Sequence, residues 1–378
     1  MEDIFITKIK INEVRHIKDF EINLSETERK HLIITGKNGS GKTSLLEDLK
    51  TSINPTVFYI PENLDINFNY KPIKHLGDLK SPVANHFFSG DFLTIYFPAK
   101  RKSQFNLSSN IEKVQLKPFY EISDSARTDF VKYMVSLKAD KSFANDDNDQ
   151  EAVKKIDNWF TEFEKLLQGI FDSDKIKLDF DRKTYDFNII EENKLPYNLN
   201  QLSDGYSAIL DIVTELILRM ETQSQKGNKR NNFDVQGVVL IDELETHLHV
   251  DLQKKILPFL TTFFPKIQFI VTTHSPFVIN SVSNAVICDL EKRIVTEDLS
   301  GYSYDTLIES YFDSDKYSDL LKNKVERYEE LLEQNGEGNK DELYEIKKYL
   351  NEIPKFVSDE LAVKLQQLKL KEIAKKHK

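Results

Sequence analysis

The chain has 378 residues, of which 39% are hydrophobic and 30% charged, and its formal net charge is −10. That length supports a full core, as one large domain with an appendage or as two domains, and the negative balance excludes a generic polyanion binder. A single cysteine, Cys288, excludes an internal disulfide framework and a cysteine-built zinc cluster, and is expected to pack as a small apolar residue.

The N-terminus, MEDIFITK, starts acidic and lacks the apolar run and small-residue cleavage site of a signal peptide. No apolar stretch approaches the roughly 18 residues that a spanning helix needs, so a cytoplasmic protein without membrane contact is expected. "IFITKIKI" and "FEINL" alternate as strands do, and "HLIIT" is a short apolar run that ends in a glycine loop. Residues 45–53 read as a helix. The stretch 54–120 is mixed and strand-rich, with "DFLTIYF" its clearest strand. Residues 122–172 read as a helical insert, interrupted by the polar run "ADKSFANDDNDQE" (139–151), which reads as an exposed loop. "KIKLDF" and "TYDFNII" resemble a β-hairpin.

The second half changes character. In "NQLSDGYSAIL" a loop opens a helix whose apolar residues recur at Ile209, Ile212, Val213, Leu216 and Met220. Such a helix start presents unpaired N–H groups and a positive dipole end, which suit an anion. "GVVLI" (237–241) and "QFIVT" (268–272) are continuous apolar β-formers, the pattern of strands buried on both faces of a parallel sheet. A helix over 249–263 separates them, and "AVICDL" with "RIVTED" forms a closing hairpin. From residue 304 onward the chain is charged and helical, with Pro354 separating helices expected at 316–350 and 355–377. Strand–helix alternation around phosphate loops argues for an α/β fold.

"GKNGSGKTS" matches G-x-x-x-x-G-K-[ST], with Gly36, Gly41, Lys42 and Thr43 at the fixed positions and Lys37, Asn38, Gly39, Ser40 and Ser44 between or beside them. The glycines let successive N–H groups point inward at phosphate oxygens. The lysine neutralises the outer phosphates, and the threonine hydroxyl ligates Mg²⁺. A strand before the motif and a helix after it supply the right context. "GVVLIDELETHLH" ends a hydrophobic strand with Asp242 and Glu243. An aspartate there can hold a Mg²⁺ shell beside a P-loop, and the adjacent glutamate can polarise the attacking water. "QFIVTTHSPF" puts His274 just past the C-terminal edge of the next strand, where it can hydrogen-bond a γ-phosphate. His247 and His249 have metal-like spacing but are read as inter-subunit loop contacts. Lys100-Arg101-Lys102 and the lysines from Lys364 onward are the candidate patches for DNA or RNA, with a solvated face the plainer reading of the tail.

The order of P-loop, "LSDGYS", "VVLIDE" and "TTHS" resembles the ABC-type ATPase head of transporters, SMC and RecF-like proteins and bacterial defence ATPases. The resemblance implies an ABC-ATPase head: a P-loop, a mixed sheet with an N-terminal antiparallel part, a helical insert at about 120–172 and a C-terminal helical hairpin. The head is expected over 1–303 and a docking or oligomerisation region over 304–378. It implies ATP and Mg²⁺ as cofactors. It also implies a head-to-tail homodimer or higher homo-oligomer in which Ser203, Asp204 and Gly205 of one subunit meet the ATP held by the P-loop of another. Asp204 stands where glycine is commoner. "NEVRHIKDFEINL" is similar to the start of SMC-like heads and implies that Arg15 reaches the phosphates. "IDELETHLH" and "YFPAKR" resemble segments of stand-alone ATPases of the overcoming-lysogenization kind. Leu244 stands where these carry proline, which is expected to loosen that turn.

The tail is similar to that of the "predicted ATP-binding protein involved in virulence" group, near the Septu and retron defence ATPases. That neighbourhood implies a switch ATPase in anti-phage defence with a separate effector such as an HNH nuclease. A RecF- or SMC-like repair ATPase is the alternative, although the residues between P-loop and signature lack the sustained heptads of an SMC arm. A transporter subunit fits the "ETHLH" loop and acidic tail less well. A nuclease of the chain's own would have to use Asp313-Ser314-Asp315, which follow no apolar strand.

Overall fold

The computed structural model describes residues 3–70, 79–101, 104–108, 110–227, 235–301, 307, 319–333, 340–352 and 359–376. Five runs of apolar β-formers build the centre. β3 (His31–Thr35), β5 (Phe92–Phe97), β9 (Gln236–Ile241), β10 (Ile267–Thr272) and β11 (Ala285–Asp289) are buried at every position. Strands apolar throughout are stable only where both faces of the sheet are covered. They lie parallel in the order β11-β3-β10-β9-β5, and β12 (Ile294–Glu297) closes the sheet as an antiparallel edge on β11.

The alternating N-terminal segments behave differently. β1 (Ile6–Val14) pairs antiparallel with β2 (Ile17–Asn23) and with β4 (Leu64–Phe68), so Ile9, Ile11 and Ile22 point into one core with Leu32, Ile34, Val238, Leu240 and Ile270. Helix α1 (Lys42–Ile53) adds Leu45, Leu46, Leu49 and Ile53 to it. Cys288 is fully buried in this core, and burial pushes its thiol above the usual range, in keeping with an apolar packing role. A third sheet joins β6 (Lys177–Asp181), β7 (Asp186–Ile190) and β8 (Tyr197–Asn198), which includes the expected hairpin. The chain is thus α/β, with a mainly parallel sheet beside an antiparallel one.

Several expectations are corrected. The stretch 54–120 holds only β4, β5 and the short α2 (Ala84–Phe88) among its described residues. The polar run 139–151 is not a loop: α3 (Phe130–Asp146) continues through it, and only Asp147–Asp149 break the chain before α4 (Gln150–Phe171). Asp149 accepts the N–H of Ala152 at 3.0 Å and so starts the second helix. Rings rather than polarity hold this pair together, with the Phe130 centroid of α3 5.1 Å from Phe163 and 6.1 Å from Trp159 of α4. The helix after Ser203, α5 (Asp204–Gly227), is buried on nearly every face rather than amphipathic. α6 (Val250–Phe263) starts one residue later than expected, with His249 as its N-cap.

The chain divides into two compact units, residues 1–302 and 303–378. In the second, helices Asp319–Glu333, Lys340–Glu352 and Asp359–Lys376 replace the two expected. They share a core of Val325, Tyr328, Leu331, Leu332, Ile346, Leu350 and Leu368. Asp313, Ser314, Asp315 and Pro354 lie outside the described residues. No helix among the described residues is long and apolar enough to cross a membrane.

Candidate functional site

Because β3, β5, β9 and β10 run parallel, the segments that follow them emerge at one edge of the sheet. These are the Gly36–Thr43 loop, Pro98–Arg101, Asp242–Glu243 and Thr273–His274. In open α/β sheets this carboxyl edge is where ligands bind. Strand order places β10 between the P-loop strand and the strand that ends in Asp242.

The loop has the backbone that its glycines permit. Gly36 and Gly41 take φ of 135° and 98°, and a Cβ on Gly36 would come within 2.8 Å of Ser40 Oγ. Lys42 begins α1, and its amine folds back to donate to the carbonyls of Gly36 and Lys37 at 2.8 and 3.0 Å. Burial lowers the Lys42 pKa, and Glu243, Glu245, Asp242 and Asp289 oppose that shift. The Thr43 hydroxyl donates to Asp242 Oδ2 at 3.0 Å. Lys37, Asn38 and Gly39 are exposed, Ser44 is half-buried, and buried Ser40 Oγ has no hydrogen-bond partner among the described residues. Lys37 pairs with Glu291 at 2.9 Å.

Thr272 organises the acidic side of the site. Its hydroxyl donates to Asp242 Oδ1 at 2.6 Å and accepts the Glu243 N–H at 2.7 Å. Glu243 has φ of 45°, a region that non-glycine residues seldom occupy. The expected loosening at Leu244 is absent: the side chain is fully buried, and its N–H donates to the Thr272 carbonyl at 3.0 Å, a bond that proline cannot make. The His274 N–H donates to Glu245 Oε1 at 2.5 Å, which ties the two strand ends together.

Arg15 is exposed with φ of 53° in the turn between β1 and β2. Ile17, two residues on, would lie 3.2 Å from a Cβ on Gly41, so this turn borders the P-loop. Ser203 and Asp204 are exposed at the start of α5. Buried Gly205 packs on the loop of its own chain: a Cβ there would meet Leu252 Cδ1 at 3.1 Å and the His247 carbonyl at 3.2 Å. The P-loop finds partners at Asp242 and Glu291, and Gly205 packs against His247, Leu248 and Leu252. His247 is exposed, and His249 Nδ1 accepts the Asp251 N–H at 3.5 Å. Among the described residues, no group of three or more His, Cys, Asp or Glu side chains could hold a metal ion.

Thr272, Glu245 and Arg101 were not expected here. Arg101, read as part of a basic patch, is 8% exposed and donates to the carbonyls of Pro98, Asp242, Glu243 and Leu244 at 3.2, 2.9, 3.1 and 3.4 Å. Lys100 is exposed, and Lys102 lies outside the described residues. The aromatic-Pro-x-x-Arg order after an apolar strand was the available signal for Arg101.

Among known proteins, the chain is similar to defence-system proteins, two of them named as probable ATPases. Residues 121–280 match the family model described as "AAA domain, putative AbiEii toxin, Type IV TA system", a span that holds residues 203–205, 242–243 and 274 but not the P-loop. The chain is 25% identical over 382 residues to the Septu protein PtuA of Bacillus mycoides (strain KBAB4), across 93% of this chain and 51% of that protein. It is 34% identical over 143 residues to the Retron Ec83 probable ATPase of Escherichia coli, across 35% of this chain and 26% of that protein. It therefore spans about half the length of the first relative and about a quarter of the second. Among solved structures, an SMC head bound to the C-winged helix domain of ScpA is similar at 11% identity with a TM-score of 0.44, covering 78% of this chain and 99% of that one. The chain is thus similar to a Septu protein over most of its length and to a retron probable ATPase over about a third of it, and residues 121–280 match an AAA domain model.

Proposed function

We propose that the protein binds ATP and hydrolyses it to ADP and phosphate as a nucleotide-gated switch of the ABC type. The observation that carries the reading is the convergence of four sequence segments at one sheet edge. Lys42 and Thr43 open a helix there, Asp242 stands 3.0 Å from the threonine hydroxyl, Glu243 follows it, and His274 is tied to the same turn through Glu245. In this reading the loop N–H groups and Lys42 hold the phosphates, with Arg15 alongside. Glu243 polarises the attacking water, and His274 contacts the γ-phosphate.

The residues present fit a hard divalent cation: Thr43 and Asp242 offer two adjacent oxygens, and Mg²⁺ is commonly held by one or two protein oxygens plus phosphate and water. When bound, the ion would neutralise charge on the phosphates.

Exposure of Ser203 and Asp204, with Gly205 anchored behind them, suits a helix start offered to a second subunit. Two chains would then meet head to tail as a homodimer or a unit of a higher oligomer, each closing the other's site, so that ATP favours the closed state and hydrolysis releases it. The reading extends to cytoplasmic anti-phage defence beside a separate effector such as an HNH nuclease, with residues 304–378 as the docking or oligomerisation region; similarity to a Septu protein and to retron probable ATPases is what favours it. Mixing tests the shared site. Ser203→Arg and Lys42→Ala chains, each inactive alone, should regain ATP turnover when combined, because a mixed dimer keeps one whole site. A mixture as inactive as its parts would refute the arrangement.

A further inference from the structure

Helix α5 buries three charged residues at four-residue intervals, Asp211, Glu215 and Arg219, which are 0%, 1% and 3% exposed. Buried charge is costly unless it is paired and hydrogen-bonded, so each needs a partner. Glu215 accepts the N–H groups of Ala126 and Arg127 at 2.8 and 2.9 Å. Arg219 pairs with Glu215 at 2.7 Å and donates to the carbonyls of Thr94, Glu121 and Asp124. Arg127 Nε pairs with Asp211.

Outside this array, Arg101 is buried under the turn that follows β9. Arg101 Nε makes no hydrogen bond among the described residues, while its two terminal nitrogens fork over the carbonyls of Asp242, Glu243 and Leu244. Those carbonyls belong to the turn in which Glu243 holds its positive φ. A planar guanidinium can hold several carbonyls at fixed angles, and an ammonium cannot.

We propose that Arg101 is a positioning residue for the Asp242–Leu244 turn, its fork over three successive carbonyls fixing the backbone that aims Glu243. This rests on the reading of Glu243 given above.

The test uses the full-length protein. Arg101→Lys keeps the charge and loses the fork. Its kcat for ATP should fall about 10- to 100-fold, the range for residues that orient a catalytic group, while ATP affinity stays within about threefold of wild type. Arg101→Gln, whose amide cannot fork over three carbonyls, should shift kcat in the same direction and serves if Arg101→Lys does not fold. In single-turnover assays, Arg101→Lys placed on Glu243→Gln should add nothing further, because a residue that acts through Glu243 has no effect once that carboxylate is gone. A purely structural arginine would lower both backgrounds alike. Losses that multiply across the two backgrounds, or wild-type kcat in both Arg101→Lys and Arg101→Gln, would overturn the proposal. A wild-type protein without ATP turnover would overturn the ATPase reading and this inference with it, whereas an active wild type with an unaffected Arg101→Lys would overturn the inference alone.

Discussion

Thr43 Oγ1 donates to Asp242 Oδ2 at 3.0 Å across 199 positions of sequence. The hydroxyl opens α1 and the carboxylate closes β9, so one hydrogen bond joins the P-loop to the acidic end of a strand two places away in the sheet. Thr272, on the strand between, holds the same carboxylate at 2.6 Å.

Lys42→Ala removes an amine already gathered over the loop by two carbonyls. Charged hydrogen bonds contribute about 1.5–3 kcal/mol each, so ATP affinity should fall at least about 100-fold. Titration calorimetry on the full chain reads this, and unchanged affinity would remove the P-loop from the site.

Glu243→Gln keeps the shape of the side chain and its main-chain bond to Thr272. ATP should still bind, and kcat should fall by about 10²–10⁴, the range for a lost general base. Light scattering should show an ATP-dependent dimer accumulating. Turnover at the wild-type rate would exclude Glu243 as the water-polarising group.

Gly237→Ala tests the sheet rather than the chemistry. Gly237 pairs with Leu93 across β9 and β5, and an added Cβ would lie 2.3 Å from the Leu93 carbonyl oxygen. The nearest atom belongs to the paired backbone and cannot swing aside as a side-chain end could, so unfolding in urea should show a loss of about 1–3 kcal/mol. A midpoint equal to that of the wild type would mean that the two strands are farther apart than described.

His31 predicts how stability changes with pH. Burial, with a smaller effect from Arg29, lowers its pKa from 6.5 to about 4, and its Nδ1 accepts the Phe269 N–H at 3.1 Å. The fold therefore holds the neutral ring, whereas the unfolded chain takes up a proton near pH 6.5. Stability from this group is complete above that pH and falls as pH drops from about 6.5 towards 4. Between pH 7 and pH 5 the wild type should lose about 2 kcal/mol more than His31→Asn, which keeps an acceptor without a titrating ring. Equal losses in the two proteins would show that His31 titrates normally.

Much of the frame was legible in the sequence because it is written in local patterns. The apolar runs at 237–241 and 268–272 read as doubly covered strands, and the run at 31–35 as a strand ending in a glycine loop, because continuous apolar composition suits a strand covered on both faces. The glycine spacing of residues 36–43 reads directly as a loop because φ is a property of single residues. Misreadings came where local composition was overridden. The polar run 139–151 is helical because Asp149 caps a helix and aromatic packing holds both helices, neither of which polarity reveals. The apolar stripe of α5 concealed a second stripe, Asp211, Glu215 and Arg219, whose role depends on coil segments that only folding brings near.

By itself the sequence determined the α/β character of the chain and the glycine loop at 36–43, and it put forward Lys42, Thr43, Asp242, Glu243 and His274 as candidates, because spacing along a chain dictates local backbone geometry. Tertiary structure alone decided that Arg101 is buried under the Glu243 turn rather than exposed in a basic patch. It also decided that Thr272 bridges Asp242 and Glu243, and that Gly205 is needed for close packing on His247. These are relations between atoms on different strands, fixed by register and burial, and no periodicity in one segment encodes its neighbour across a sheet.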